Sequence, residues 1–265
     1  MKYLVVILII VLLACSCNNK RTLAINNGNL ELDSFGIDTT FVLTSDMQSP
    51  RCKISLHVKY VRGKNADKIN RAIINSGILI SDYILDNPKQ IDVPMAVQTF
   101  ANQYLADYKK EYGNLYLEDR QNTNSYNCSY ILKTEVSIPK GDIMAYMSTL
   151  YIYGGGEHGI HQTLIKNFDL KTGDVIKLKD LFITGYEATL KDIIVAHLQQ
   201  KFKTSNFDEL KKEYIFANDY IYIPENFIID DDAITFIYCE DEISPHNVGE
   251  IRIKIDKDEI NKLLK

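Results

Sequence analysis

Hydrophobic and polar positions alternate in several stretches of the chain. Within residues 52–61, one side carries mostly apolar side chains, namely Cys52, Ile54, Leu56, Val58 and Tyr60. A period of two is typical of a half-buried β-strand, because successive side chains point to opposite faces. The same alternation over residues 128–138 and 143–153, separated by a Pro-Lys-Gly-Asp turn, predicts a long β-hairpin.

Helical spacing of apolar residues predicts helices over residues 94–108 and 187–202, with a loop over residues 113–127. Tyr104 and Tyr108 lie on the apolar stripe of the first helix, where core packing is expected rather than stacking on a carbohydrate. Helices are inserted between runs of strands instead of alternating with each strand. This order predicts an α+β fold with mostly antiparallel sheets, helices packed on one face, and two halves.

The beginning of the chain is typical of an exported protein. Lys2 supplies a positive charge, and residues 4–13 form an apolar run that is too short to span a bilayer. Residues 12–14 (Leu-Leu-Ala) lead into Cys15, which resembles a bacterial lipoprotein signal, and Cys17 is a weaker candidate for lipid attachment. We predict a signal peptide over residues 1–14 and a membrane contact through the lipid on Cys15 alone.

The remaining chain is predicted to have three parts. Residues 15–35 are interpreted as a flexible tether, because most of them are polar and show no apolar period. An N-terminal α+β half, residues 36–153, and a C-terminal α+β half, residues 154–265, follow. Residues 18–21 are Asn-Asn-Lys-Arg, whereas acidic residues at this point accompany surface export in Bacteroidetes-type lipoproteins. By that resemblance the protein is expected to face the periplasm.

Three cysteines follow the predicted lipid attachment region: Cys52, Cys128 and Cys239. An odd number allows at most one disulfide within the chain and leaves at least one free thiol. Cys52 and Cys128 lie on alternating stretches, where burial as small apolar residues is expected. Their wide spacing excludes a local Cys-x2-Cys metal site.

Four glycines occupy six positions at residues 154–159, which permits positive φ angles or close backbone approach. A phosphate-binding loop would need a following helix and lysine, whereas strand-like residues follow. A zinc site could use His158 and His161 beside Glu157, but the segment is not helical and no third ligand is indicated. We therefore predict no metal ion and no cofactor, and interpret the stretch as a tight corner with a hydrogen-bonded histidine.

The composition of the 265 residues, 46% hydrophobic and 25% charged, is that of a globular protein with one large or two small domains. The formal net charge is −5. This charge gives no reason to expect nucleic acid as a partner, because nucleic-acid-binding proteins usually carry a basic face. It suits a basic protein partner through electrostatic complementarity.

Several short motifs occur in an order that resembles the extracellular domain of the anti-sigma factor RsiV, which is also an accessory domain of polysaccharide deacetylases. They are the Gly-Gly-Glu-His-Gly stretch at residues 155–159 and the segments at residues 167–182, 226–236 and 242–249. The chain departs from the family where Glu240 and Asp241 replace Pro-Tyr and where His246 replaces an aromatic residue. The resemblance implies a stand-alone module that binds a lysozyme-like protein or a peptidoglycan fragment.

The candidate contacts of such a module lie on the glycine-rich corner and on the loop at residues 241–249. They are Tyr153, Glu157, His158, Asp241, Pro245 and His246. A binding module without catalytic residues is the first functional hypothesis, because no nucleophile elbow and no His-Glu-x2-His helix occurs.

Two alternatives remain open. The chain could be a hydrolase of cell-wall polysaccharide that uses Glu157, His158 or His161, which would have to converge in a pocket. It could also be a structural protein of the cell envelope.

Overall fold

The computed structural model describes four stretches of the chain: residues 21–25, 28–46, 48–80 and 92–265. The predicted signal peptide, residues 1–14, and the predicted lipid attachment at Cys15 lie outside these stretches. Within them, no helix combines the length and the apolar character needed to cross a membrane.

A seven-stranded sheet with its strands in chain order forms the larger part of the fold. Its strands are β1 (Arg21–Ile25), β2 (Gly28–Val42), β3 (Arg51–Arg62), β4 (Cys128–Lys140), β5 (Ile143–Tyr153), β6 (Ile160–Asp169) and β7 (Val175–Ile176). Neighbouring strands are antiparallel except for the parallel pair β3 and β4. The predicted α+β fold and the predicted β4–β5 hairpin are confirmed.

The chain passes from β3 to β4 through two helices, because parallel neighbouring strands cannot be joined by a tight hairpin. The helices are α1 (Ala66–Ile73) and α2 (Val93–Glu118), and the Asp92 side chain caps α2 by accepting the Met95 N–H at 3.3 Å. Tyr108 is 3% exposed within the core, which confirms the packing role predicted for it. The predicted loop from residue 113 is wrong over its first part, because α2 continues through Gly113 to Glu118. A glycine inside a helix lowers the stability of the helix by only about 1 kcal/mol relative to alanine, and the packing of neighbouring residues offsets this loss.

The second sheet has three antiparallel strands, in the order β10-β9-β8. They are β8 (Phe227–Ile229), β9 (Ala233–Tyr238) and β10 (Ile251–Asp256), preceded by helices α3 (Leu178–Leu181), α4 (Glu187–Phe202) and α5 (Phe207–Lys212). Helix α4 has its predicted bounds. It buries Leu190, Ile194 and Leu198 in a second hydrophobic core that the small sheet also lines.

The division between the two halves lies beyond the predicted boundary at residue 154. Strands β6 and β7 belong to the large sheet, and Phe168 and Leu170 belong to its core. The second core begins with Leu178. The chain therefore passes from the first hydrophobic core to the second between residues 170 and 178. The boundary lies this late because β6 pairs with β5 and so belongs to the large sheet.

Strands β1 and β2 correct the predicted tether, residues 15–35, over the part that the structure describes, residues 21–25 and 28–35. The backbone of β2 pairs with β3 from Glu31 opposite Arg62 to Val42 opposite Arg51, and β1 pairs with β2 in turn. Leu30 is 2% exposed. A polar segment without an apolar period forms a strand here because β3 supplies the partners for its backbone hydrogen bonds.

Asn226 joins the two sheets. Its side-chain oxygen accepts the N–H of Ile165 at 2.7 Å, and its side-chain nitrogen donates to the carbonyl of Thr163 at 2.6 Å. Asn167 makes the reverse contact, donating to the carbonyl of Phe227 at 2.8 Å. The short β7 pairs only with residues 167 and 168 of β6. Beside residues 163–165, the Asn226 amide makes the hydrogen bonds that a neighbouring strand would otherwise make.

The three cysteines of the described residues are free and buried. Cys52 and Cys128 lie opposite each other on β3 and β4, which confirms the predicted burial of both. The hydrogen bond with the Cys128 thiol and burial raise the pKa of Cys52. Burial raises the pKa of Cys239 to about 11.

We expect these thiols to be unreactive in the folded protein at about pH 8, because all three are buried and because the raised pKa of Cys52 and Cys239 leaves little of their reactive thiolate. Ellman's reagent added to a soluble form that begins at Arg21 should label no thiol quickly before unfolding, and Cys52, Cys128 and Cys239 after unfolding in guanidinium. Glutathione in the same buffer serves as the control for reagent activity. Rapid labelling of the folded protein, or labelling of a single thiol after unfolding, would contradict this prediction.

Candidate functional site

Two loops that are distant in the chain meet at the protein surface. The ring of His158, between β5 and β6, stacks on the ring of His246, between β9 and β10, with centroids 3.7 Å apart and planes at 29°. The fold thereby joins the glycine-rich corner to the loop at residues 241–249. We call His158, Glu240, Asp241 and His246 the two-histidine site.

Glycines determine the shape of the loop that carries His158. Gly155 has a φ of +85°, and a Cβ atom there would overlap the carbonyl oxygen of Ser125. A Cβ atom at Gly159 would overlap the ring of Tyr151. Only glycine fits such close contacts between backbone and neighbour. The loop is therefore anchored on both sides of His158 by packing that excludes a side chain.

The loop that carries His246 begins with a tight turn after β9. The Glu242 side chain accepts the backbone N–H of Cys239 at 2.6 Å. Asp241 has a φ of +63°, a left-handed conformation that costs about 1 kcal/mol for most residues but that aspartate tolerates comparatively well. This geometry places Oδ2 of Asp241 3.0 Å from Nδ1 of His246.

Glu240 connects the two loops. Its Oε1 lies 3.5 Å from Nδ1 of His246, and its Oε2 accepts the backbone N–H of His161 at 2.7 Å. The Glu240 side chain is 12% exposed, so it is held between β6 and the second loop. The sequence indicates Glu240 only as a departure from the RsiV pattern, because its partner His161 lies in a distant part of the chain.

An aromatic surface lies beside Glu242, the residue that follows Asp241 in the chain. The Tyr222 hydroxyl donates to Oε1 of Glu242 at 2.5 Å, and the ring of Tyr222 stacks with that of Tyr220 at 5.8 Å. Tyr220 is 69% exposed. Burial raises the pKa of Tyr222, so its hydroxyl remains a donor at neutral pH. Neither residue was predicted from the sequence, in which the Tyr-Ile-Tyr pattern at residues 220–222 is the available signal.

The predicted contact residues have different positions in the structure. His158, Asp241 and His246 lie together in the two-histidine site. Tyr153 supports the corner by donating from its hydroxyl to the carbonyl of Gly156 at 2.9 Å. The remaining two lie next to the site in the chain: Glu157 is exposed, and Pro245 precedes the short 3-10 turn His246–Val248.

The residues of the hydrolase alternative are not assembled. Among the described residues, no hydrogen bond or ion pair joins Glu157, His158 and His161 to one another. His161 instead packs its ring against that of Tyr151, with centroids 4.6 Å apart. Clefts of about 600, 730 and 970 Å³ lie elsewhere on the described part of the chain and are lined by other residues.

The arrangement of the site is suited to binding. It presents imidazole and carboxylate groups to solvent, and its ligand-type atoms in His158, Asp241 and His246 all lie within 4.8 Å of one another. A third ligand-type side chain, which the sequence did not indicate as a metal ligand, is therefore available in the structure. The further ligands come from a loop that lies beside His158 only after folding.

Comparison with known proteins shows that part of this chain is similar to a described family. Residues 179–258 match the model of a family described as a protein of unknown function, DUF3298. The matched segment includes the small sheet and the loop with Asp241 and His246. None of the curated proteins compared with the chain matches it.

Two solved structures of DUF3298 family proteins are similar over nearly the whole chain. One, from Bacteroides fragilis, has a TM-score of 0.77 and 26% identity, and the similarity covers 90% of this chain and 94% of that chain. The other, from Pseudomonas aeruginosa, has a TM-score of 0.58 and 18% identity, with coverage of 88% and 94%. The second match shows a shared fold alone.

Proposed function

We propose that this chain is a cell-envelope lipoprotein that captures a ligand at the two-histidine site without catalysing a reaction. The observation that carries the proposal is the convergence of two anchored loops through the stacked rings of His158 and His246. Loops positioned by a rigid scaffold are the usual place for recognition. The resemblance to the RsiV extracellular domain supports the same function.

The proposed anchor is a lipid on Cys15. The apolar run at residues 4–13 followed by Ala14 and Cys15 supports it. A lipid would hold the folded part at the membrane surface, facing the periplasm, and would leave the two-histidine site accessible.

A basic protein of the lysozyme type is the ligand that the charge of the site favours. Three consecutive acidic residues, Glu240, Asp241 and Glu242, lie at the site in a chain with a formal net charge of −5. Opposite charges increase the rate of encounter and orient the partners. A peptidoglycan fragment is the second ligand class, since the exposed ring of Tyr220 and its neighbour Tyr222 suit stacking against a sugar face.

Binding can be measured with a soluble form that begins at Arg21, by calorimetry against lysozyme and against purified peptidoglycan fragments. We expect lysozyme binding that weakens between about 50 and 300 mM salt, because the attraction is partly between exposed charges. His246→Ala should weaken it at least about tenfold, since His246 lies at the centre of the site.

His197→Ala is the matched control. His197 is also paired with a carboxylate, that of Glu259 at 3.0 Å, but it lies on α4. Unchanged affinity in both variants would refute the assigned site. Absence of binding to lysozyme and to peptidoglycan fragments by the folded protein would refute the proposed ligand classes, and release of soluble sugars from peptidoglycan would show a hydrolase instead.

A further inference from the structure

Three metal-ligating side chains meet at the two-histidine site. The ligand atoms of His158, Asp241 and His246 all lie within 4.8 Å of one another. We propose that these residues bind one divalent transition-metal ion of the Zn²⁺ class. This proposal rests on the geometry of the site and does not depend on the ligand or on the lipid anchor.

The donor set determines the class of ion. Two imidazole nitrogens and one carboxylate oxygen suit Zn²⁺ and its neighbours, whereas Ca²⁺ and Mg²⁺ prefer oxygen ligands alone. Ligand atoms lie about 2.0–2.2 Å from Zn²⁺, so two ligands of a tetrahedral ion are about 3.3 Å apart. Nδ1 of His246 and Oδ2 of Asp241, at 3.0 Å, are already close to that spacing.

His158 completes the set through a small movement. Its ring stacks on that of His246, with the planes at 29°, rather than converging on the same point. His158 is exposed, and rotation of its ring toward Asp241 would exchange the stack on His246 for a bond to the ion. The backbone on either side packs closely, since a Cβ atom at Gly155 would overlap the Ser125 backbone and one at Gly159 would overlap the Tyr151 ring.

Glu240 supports the proposed ion from a second position. Its Oε1 is 3.5 Å from Nδ1 of His246, and the hydrogen bond from the His161 N–H fixes its other oxygen. A carboxylate this close to the metal-binding nitrogen would balance part of the charge of the ion. An ion bound here would also tie the loop of His158 to the loop of His246.

Other histidines of the described residues lack this combination. His57 pairs with Asp38 at 3.1 Å, and His197 pairs with Glu259 at 3.0 Å. Among the residues that the structure describes, no second group of three such ligands meets the same spacing. These pairs serve as controls for the second histidine, because each contains one histidine and one carboxylate but no further imidazole ligand.

The test uses the untagged full chain in detergent micelles, with Cys15→Ser and Cys17→Ser so that thiols outside the described residues do not contribute. Calorimetric titration with Zn²⁺ should show saturation at one ion per chain. Titration with Co²⁺ should give the visible absorption bands of a bound ion with nitrogen and oxygen ligands. His158→Gln, Asp241→Asn and His246→Gln should each weaken Zn²⁺ binding at least about tenfold, since each removes one ligand.

His197→Gln should bind Zn²⁺ as tightly as the parent chain. Because His158 and Asp241 are exposed, their substitution should leave the circular dichroism spectrum unchanged, which separates loss of a ligand from loss of the fold. Equal Zn²⁺ affinity in the parent chain and the three site variants, or no saturable binding by the parent chain, would overturn the proposal. Neither result depends on whether lysozyme or peptidoglycan binds.

Discussion

Replacement of Asn226 by alanine is expected to lower the free energy of unfolding by about 2–3 kcal/mol. The Asn226 amide is bonded to the N–H of Ile165 and to the carbonyl of Thr163, both on the edge of β6. Alanine removes both hydrogen bonds, so the N–H of Ile165 loses its amide acceptor and the carbonyl of Thr163 keeps only the weak thiol donor of Cys239 at 3.4 Å. Urea unfolding followed by circular dichroism measures the change.

Asn247→Ala is the control for replacing an asparagine by alanine where no hydrogen bond is lost. Asn247 is exposed and has no side-chain hydrogen bond within the described part of the chain. We expect its substitution to change stability by less than about 0.5 kcal/mol. Equal stability of the Asn226→Ala protein and the parent protein would show that packing of the two cores alone holds the sheets together.

The second large effect is expected at the glycine corner. Gly155→Ala should lower the free energy of unfolding by about 3 kcal/mol, because it combines a strained positive φ with an overlap against the backbone of Ser125. The corner can relieve the overlap only by moving, which would also carry His158 away from His246. Urea unfolding reports the stability, and the Zn²⁺ titration reports the position of His158.

Gly154→Ala is a control one residue away. A Cβ atom at Gly154 would meet nothing within 4 Å, and its φ is not positive. This substitution should change stability by no more than about 0.5–1 kcal/mol, with stabilisation as the expected direction. Similar losses at Gly154 and Gly155 would mean that the corner is sensitive to any added side chain rather than to the contact with Ser125.

Local patterns in the chain predicted many of the individual elements. The alternation from Cys52 to Tyr60 corresponds to β3, with those side chains buried. The two alternating stretches around the Pro-Lys-Gly-Asp turn form the β4–β5 hairpin, and α4 has its predicted bounds. In each case neighbouring residues carry the information, because the side chains that define the period pack on one face of the same element.

Other elements depend on partners that are distant in the chain. The polar segment before residue 36 forms β2 because β3 lies beside it, which the segment itself does not reveal. Helix α2 passes the glycine at position 113 because its packed residues offset the local cost. Strand β6 extends the large sheet, so the boundary between the cores falls after Leu170 rather than at the glycine corner.

The candidate site was likewise indicated partly by the sequence and partly by the tertiary structure alone. The glycine-rich corner and the loop at residues 241–249 with its RsiV-like motif already indicated His158, Asp241 and His246 as candidate contacts of a binding module. Only the tertiary structure decided that they form one site and that His161 turns toward Tyr151 instead. The physical reason is that the packing of the small sheet against β6, through Asn226, sets the distance between the two loops.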